Sequence, residues 1–375
     1  MTGIFILSES EKLEDNGIVS DSDGLKSSYK RYTKRKILFI AVCITVAVLS
    51  VGLSVYVGGR DIEFFDVYRT IFNHLFGEQP APGSSAWMDD YIIWNLRLPR
   101  AIYAAVAGAG LAVGGAVMQS VMKNPLADPY TTGISSGACF GVAVAMVLGL
   151  TAFGNMGSYG IVINSFIFAL IPMALIIVLA PRSNSSPATL ILAGVALSYL
   201  FNALNTLLLV TTDAETLASV YRWQIGSLEN MTWQSVIVMS VITIAGIAVI
   251  SFLSKKLNLM SLGDAHAKSL GLDVNTMRII CLVTMSLVVA SVIAFAGIIG
   301  FVGLVAPHIV RMVIGSDNRF VIPAATAFGA AFLMVADIIA RTLSDIGAIP
   351  VGVVISFVGA PIFLYLIIKQ RGNIW

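Results

Sequence analysis

Residues 37–57 read ILFIAVCITVAVLSVGLSVYV. This run of twenty-one residues carries no charge. It matches the ~20 apolar residues an α-helix needs to cross the hydrocarbon core of a bilayer. Lys26, Lys30, Arg31, Lys34, Arg35 and Lys36 stand directly before it. Such a basic flank holds the start of a span in the cytoplasm. No small-residue cleavage site ends the run, so it reads as a retained first span and not a secretory leader. Upstream, Glu9, Glu11, Glu14, Asp15, Asp21 and Asp23 make the start acidic. Residues 1–36 are expected to form a disordered cytoplasmic tail.

The rest of the chain repeats this pattern. Of 375 residues, 57% are hydrophobic and 12% charged; the mean hydropathy is +0.87. A soluble domain carries about 25% charged residues, and a disordered chain combines high charge with low hydrophobicity. Both classes are excluded. Apolar segments recur at 37–57, 101–122, 131–150, 159–180, 188–211, 233–254, 276–296, 300–315, 320–340 and 351–368. The chain is therefore read as all-α: a polytopic membrane protein of about ten transmembrane helices, forming one domain over 37–370. Gly297, Gly300 and Gly303 interrupt the run at 276–315, where one long kinked helix could replace two short ones.

Basic residues orient the bundle. With the N-terminus inside and the spans alternating, seventeen of the 23 Lys and Arg fall inside, and these include every lysine. Six arginines fall outside: Arg60, Arg69, Arg97, Arg100, Arg222 and Arg341. Both termini are then cytoplasmic. A net charge of +2 gives no reason to expect a nucleic-acid partner.

Local patterns place roles. In 62–76, Phe64, Phe65, Tyr68, Ile71, Phe72, Leu75 and Phe76 share one helical face, as in a helix lying in the outer interface or packed over the bundle. Gly110xxxGly114 and Gly133xxxGly137xxxGly141 fit close helix contacts. The Gly297–Gly303 region looks like a broken helix, which at membrane depth lines a cavity or moves; it is the candidate gating hinge. Arg97-Leu98-Pro99-Arg100 lies at the outer mouth of the second span, with Pro99 suited to a first helical turn. Its arginines suit either a carboxylate partner or interfacial anchoring. Asp337 and Arg341 are i,i+4 and can pair. Residues 261–273, SLGDAHAKSLGLD, form an inner loop whose Gly263 and Gly271 bracket a short polar helix. That helix is too short to span and suits a soluble partner.

The series RLPR (97–100), NPLADPYTTGISSGA (124–138), LGDAHAKSLGL (262–272), GFVGLVAPHIVR (300–311), ADIIAR (336–341) and IPVGVV (349–354) followed by GAPIFLYLI (359–367) resembles the FecCD-type permeases. These are membrane subunits of type II ATP-binding cassette importers for iron-siderophores, haem and cobalamin. The likeness covers about 90–370. It implies a homodimer or pseudo-dimer of permeases with one central pathway. It also implies two cytoplasmic ATPases that carry ATP and Mg, and an extracytoplasmic substrate-binding protein above. It assigns Arg97, Arg100 and Arg341 to docking of that protein. It assigns Gly263, Asp264, Ala267, Leu270 and Gly271 to coupling with the ATPase. The family usually has an acidic residue where this chain has Ala348.

Enzymatic readings lack support in the sequence. Cys43, Cys139 and Cys281 are isolated, His74, His266 and His308 are far apart, and neither HExxH nor GxxxxGK[ST] occurs. No cofactor or metal is expected on this chain, and nucleotide hydrolysis belongs to another subunit. The rival reading is an ion-coupled secondary transporter, which needs an ionisable group near the membrane midplane; the central parts of the spans contain none.

Overall fold

The structure is a computed structural model and describes residues 7–77, 80–152, 154, 157–179, 187–343 and 349–369. Ala348 lies outside these residues. The elements are α1 (Leu7–Tyr56), α2 (Phe64–Leu75), α3 (Ser85–Tyr91), α4 (Leu98–Met122), α5 (Ile134–Leu148), α6 (Ser158–Leu179), α7 (Pro187–Val210), α8 (Ala214–Gln224), α9 (Trp233–Ser261), α10 (Asp264–Ser269), α11 (Val274–Ala296), α12 (Val302–Ile314), α13 (Asn318–Thr342) and α14 (Val351–Lys369). Seven helices are long and apolar enough to cross a membrane, and α5, α12 and α14 are shorter apolar helices. Together they occupy the ten segments read from the sequence. The described residues form no named strand, only one isolated bridge between Ile225 and Ile298.

Three boundaries differ from expectation. The helix that holds the first span is longer than that span: α1 is helical back to Leu7, through residues read as a disordered tail. A helix already nucleated by an apolar span extends at little cost per added residue. The second span begins not at residue 101 but at Ser85, continuing through a π-helical stretch at Ile92–Arg97 into α4. The wider π turn lies just before Pro99, whose ring and missing N–H disrupt regular i→i−4 bonding. The run at 276–315 is two helices, α11 and α12, parted at Gly297–Phe301.

Helix starts outside the apolar segments are set by short polar side chains. Asp213 caps α8, Asp273 caps α11 and Asp317 caps α13, each accepting from backbone N–H groups of the first turn. Thr232 and Ser235 form a reciprocal capping box on α9. Each cap stabilises its helix by about 1 kcal/mol.

The core is centred on α4. It packs against α9, α11, α12 and α13, and nearly all its side chains from Ala101 to Met122 are buried. Glycine makes this possible. A Cβ on Gly115 would lie 1.6 Å from the Gly303 carbonyl oxygen, and one on Gly108 would lie 2.2 Å from that of Gly329. The backbones of α4, α12 and α13 thus touch directly. Gly110 and Gly114 meet side chains of Val288 and Val289 instead. The 137 and 141 glycines seat α5 on α6, against the Phe168 and Asn164 carbonyls. α2 leaves Phe65, Phe72, Leu75 and Phe76 exposed. Its polar side is fastened by His74, whose ring stacks on Trp94 at 4.0 Å and lies 2.9 Å from Asp90.

Candidate functional site

Three groups of residues at different depths along α4 make up the site. The first gathers the arginines read from the sequence. Arg97 donates from Nη1 to the carbonyls of Val55 (3.3 Å) and Tyr56 (2.7 Å), and from Nη2 to that of Arg60 (2.6 Å). Arg341 donates to the carbonyls of Val57 (2.8 Å) and Ser54 (3.0 Å) and to the Ser54 hydroxyl. Arg100 forks onto Asp337 at 2.8–3.2 Å, and Arg341 Nε lies 3.2 Å from the same carboxylate. Asp337 has no exposed surface.

The three arginines, which the resemblance assigns to a docking partner, come together here, and each is bonded within the chain. Arg97 is only 5% exposed, so an outside carboxylate reaches it only by displacing three hydrogen bonds. The reason lies in α1. The last carbonyls of any helix lack intrahelical donors, and α1 has no basic residue in its own last turn. Arg97 and Arg341 supply those donors from α4's start and from α13. The Asp337–Arg341 pairing was read from i,i+4 spacing. The stronger partner, Arg100, is 237 residues away and no local signal identifies it.

The second group is at the opposite, lysine-rich end. Gly263 adopts φ +110° and Gly271 φ +82°, and these turns bracket α10. Leu262 and Leu270 are each 60% exposed, while Ala267 is fully buried. Asp264 is turned inward. Its carboxylate binds Lys123 Nζ at 2.6 Å and Arg278 Nη2 at 2.9 Å. Partial burial works against the charged form, but the hydrogen bonds and charges of Arg278 and Lys123 outweigh it and hold this carboxyl below the usual range. Lys123 ends α4 in a left-handed conformation, φ 50°, and Arg278 belongs to α11. One side chain of the loop therefore ties α10 to α4 and α11. Of the five residues chosen from the sequence, Leu270 and Gly271 are exposed, Ala267 and Asp264 anchor the loop, and Gly263 turns the chain into it. Leu262, Lys123 and Arg278 were missed.

Above this end, Arg311 of α12 joins the same helix. It donates to the Ala116 carbonyl (3.1 Å), the Ser120 hydroxyl (2.8 Å) and Asn318 Oδ1 (3.1 Å). α4 is thus bonded to α13 near one end and to α10, α12 and α13 at the other, with α11 joined through Asp264.

The third group is the helix break. Gly226 N–H donates to the Ile298 carbonyl, Ser227 N–H to that of Ala296, and Gly352 N–H to that of Gly226. The Tyr130 hydroxyl donates to the Ile299 carbonyl at 2.8 Å. The break is strapped on both sides and not loose. A cleft of about 660 Å³ opens beside it, lined by Gln224, Gly226, Ile298, Gly300, Ser356 and Phe357 among others. The three glycines of the expected hinge differ. Gly297 combines φ +72° with ψ −164°, and its Cβ would lie 2.2 Å from the Trp223 carbonyl. Gly303 presses on α4, and Gly300 has open space around it. Gly297→Ala should therefore destabilise the fold by about 1–3 kcal/mol, since that backbone region is nearly glycine-only. Gly300→Ala should stay within about 0.5 kcal/mol. Thermal unfolding of both variants in detergent checks the contrast; equal stabilities contradict it.

Among the described residues no group of three or more His, Cys, Asp or Glu is placed to hold a metal ion.

A model described as the FecCD transport family matches residues 43–369. An ABC transporter permease protein of Methanocaldococcus jannaschii is 38% identical over 353 residues, covering 92% of this chain and 98% of the relative. The vitamin B12 import system permease protein of Vibrio cholerae is 36% identical, covering 80% and 90%. The hemin transport system permease protein of Yersinia pestis is 34% identical, covering 88% and 94%. A solved structure described as a metal-chelate type ABC transporter in an inward-facing conformation superposes with a TM-score of 0.77 at 30% identity, covering 88% of this chain and 99% of its own.

The chain belongs to the FecCD transport family. It is a multi-pass membrane permease of the type that serves metal-chelate, haem and cobalamin importers.

Proposed function

We propose that this chain is the transmembrane subunit of an ATP-driven importer in the cell membrane, taking up a metal chelate, a ferric siderophore first among the candidates, with haem and cobalamin as the others. Two permease copies, or this chain and a close relative, enclose one pathway. A substrate-binding protein delivers the chelate from outside, and two cytoplasmic ATPases supply the work. Both termini are cytoplasmic. The open cleft beside the helix break is one wall of the pathway. Its largely apolar lining, with only a few polar groups such as Gln224 and Ser356, suits weak passage, because the binding protein carries the recognition.

The observation that carries this reading is the mounting of α10. A six-residue helix held by an internal ion pair, with Leu262 and Leu270 standing free on either side, is shaped to receive force from a soluble partner. Asp264 passes that force to α4 and α11. At the far end the arginines serve as a clamp holding α1, α4 and α13 in register beneath the docking surface, so docking depends on them through shape more than through direct charge pairing.

Asp264→Asn tests the transmission. The variant leaves Lys123 and Arg278 without their carboxylate. Assembly with the ATPase and basal hydrolysis should persist. Stimulation by a loaded binding protein, and transport, should fall by about tenfold. Unchanged stimulation removes Asp264 from the path. Titrating ferric chelates and corrinoids against the binding protein identifies the substrate.

A further inference from the structure

The cytoplasmic extension of α1 has a feature that transport itself does not use. Lys30, Arg31, Lys34 and Arg35 are exposed, whereas Lys36 is buried. Lys36 Nζ sits 4.4 Å from the centroid of Tyr32 and 4.7 Å from that of Phe320. The Tyr32 hydroxyl donates to the Ile314 carbonyl at 3.3 Å. The inward stripe then continues through Cys43, Ser50 and Ser54, all buried. α1 is thus fixed in rotation against the α12–α13 turn, and Lys30, Arg31, Lys34 and Arg35 are held on the outward side.

Beyond the basic residues that outward side is apolar. Ile37, Leu38, Val42, Val46 and Leu49 are exposed on it. Between α1 and α13 lies an apolar groove of about 310 Å³, walled by Phe39, Val42, Cys43, Val46, Phe328 and Phe332 among others. On a 3.6-residue turn, Arg31, Arg35, Val42 and Val46 fall in one line along α1. Arg35 precedes Phe39 by one turn, about 6 Å along the axis. Two exposed arginines therefore lie one and two turns before a groove of acyl-chain width, on the same face of α1.

We propose that this is a site for an anionic phospholipid. Its phosphate is held by Arg31 and Arg35, with Lys30 and Lys34 adding charge, and one acyl chain lies in the α1–α13 groove. Charge complementarity selects the occupant, since basic side chains just cytoplasmic of a span attract anionic headgroups. Arginine matches phosphate oxygens in a two-pronged arrangement. A bound lipid would stiffen α1 against α13, the two helices joined at their far ends by Arg341.

The test is lipid retention by the full-length chain in complex with its ATPase. The complex is purified from discs of equal phosphatidylglycerol and phosphatidylcholine and weighed by native mass spectrometry. The wild type should retain phosphatidylglycerol over phosphatidylcholine by on the order of tenfold. Arg31→Gln with Arg35→Gln should erase that preference while some lipid of either kind remains; Lys26, Lys30, Lys34 and Lys36 preserve the orienting charge. Val46→Trp, which fills the groove with the charges intact, should lower retention of both lipids. Equal retention of the two lipids by the wild type overturns the proposal, as does an unchanged preference in the arginine variant or undiminished lipid retention in Val46→Trp. Loss of the ATPase from the arginine variant with its lipid preference intact also overturns it, and assigns the basic face to a protein partner.

Discussion

Replacing Asp337 by alanine should be the most damaging single change at the arginine-rich end of the bundle. Asp337 is fully buried and is the carboxylate shared by Arg100 and Arg341. Its removal leaves two largely buried guanidinium groups near each other without a counter-charge. Breaking a buried pair in this way costs about 3–5 kcal/mol, against a total stability of roughly 5–15 kcal/mol for a typical domain. The folded fraction recovered in detergent should drop sharply, and the melting temperature with it. Asp337→Asn keeps the shape and some hydrogen bonding, so it should lose less. A triple variant with apolar residues at 100, 337 and 341 should recover much of the stability, because the desolvation penalty of all three charges disappears. Arg341 also caps α1 through Ser54 and Val57, so recovery should stop short of wild type. A stable Asp337→Ala protein contradicts the clamp.

The second large effect is expected at Gly115. Alanine there adds one methyl group, but that methyl would lie 1.6 Å from the Gly303 carbonyl oxygen. The obstacle is backbone, so no rotamer change relieves it. α12 must shift away from α4, and with it Arg311, whose bonds reach the Ala116 carbonyl and Ser120 one turn along. Overpacking alone costs about 1–3 kcal/mol, and the loss of the Arg311 bonds adds to it. Gly114→Ala meets a Val289 methyl group instead of backbone, at 2.8 Å, and should be milder. Comparing the melting temperatures and ATP-dependent uptake of the two variants separates backbone contact from ordinary crowding. Equal behaviour at 114 and 115 contradicts the direct α4–α12 contact.

These two sites show what the sequence conveys and what it does not. The ten spans were legible because bilayer thickness imposes a length on each apolar run, and the break at Gly297 because glycine stood where the apolar pattern faltered. α10 was legible from its flanking glycines and its polarity. The important glycines in α4 were not. Gly110xxxGly114 has the familiar spacing, yet Gly108 and Gly115 make the backbone contacts; which face of a wholly apolar helix meets its neighbours depends on the bundle, and periodicity is silent when every face is apolar. The arginines were found, but their direction was not. A sequence shows that Arg97 stands at a helix start; only the fold shows that α1 ends within reach with carbonyls lacking donors. Likewise Asp264 reads as a polar loop residue until Lys123 and Arg278, 141 and 14 residues away, converge on it.

The clamp, the α4 shaft and the α10 junction make sense together only if movement at one membrane face is transmitted to the other. Uptake into sealed vesicles containing the chain, its ATPase and a loaded binding protein outside tests this most directly. The account predicts uptake that requires ATP on the ATPase side, survives collapse of the proton gradient, and falls by about tenfold in Asp264→Asn while basal hydrolysis continues. Uptake that proceeds without the ATPase and stops when the ion gradient is collapsed would contradict it, and would make the chain an ion-coupled transporter.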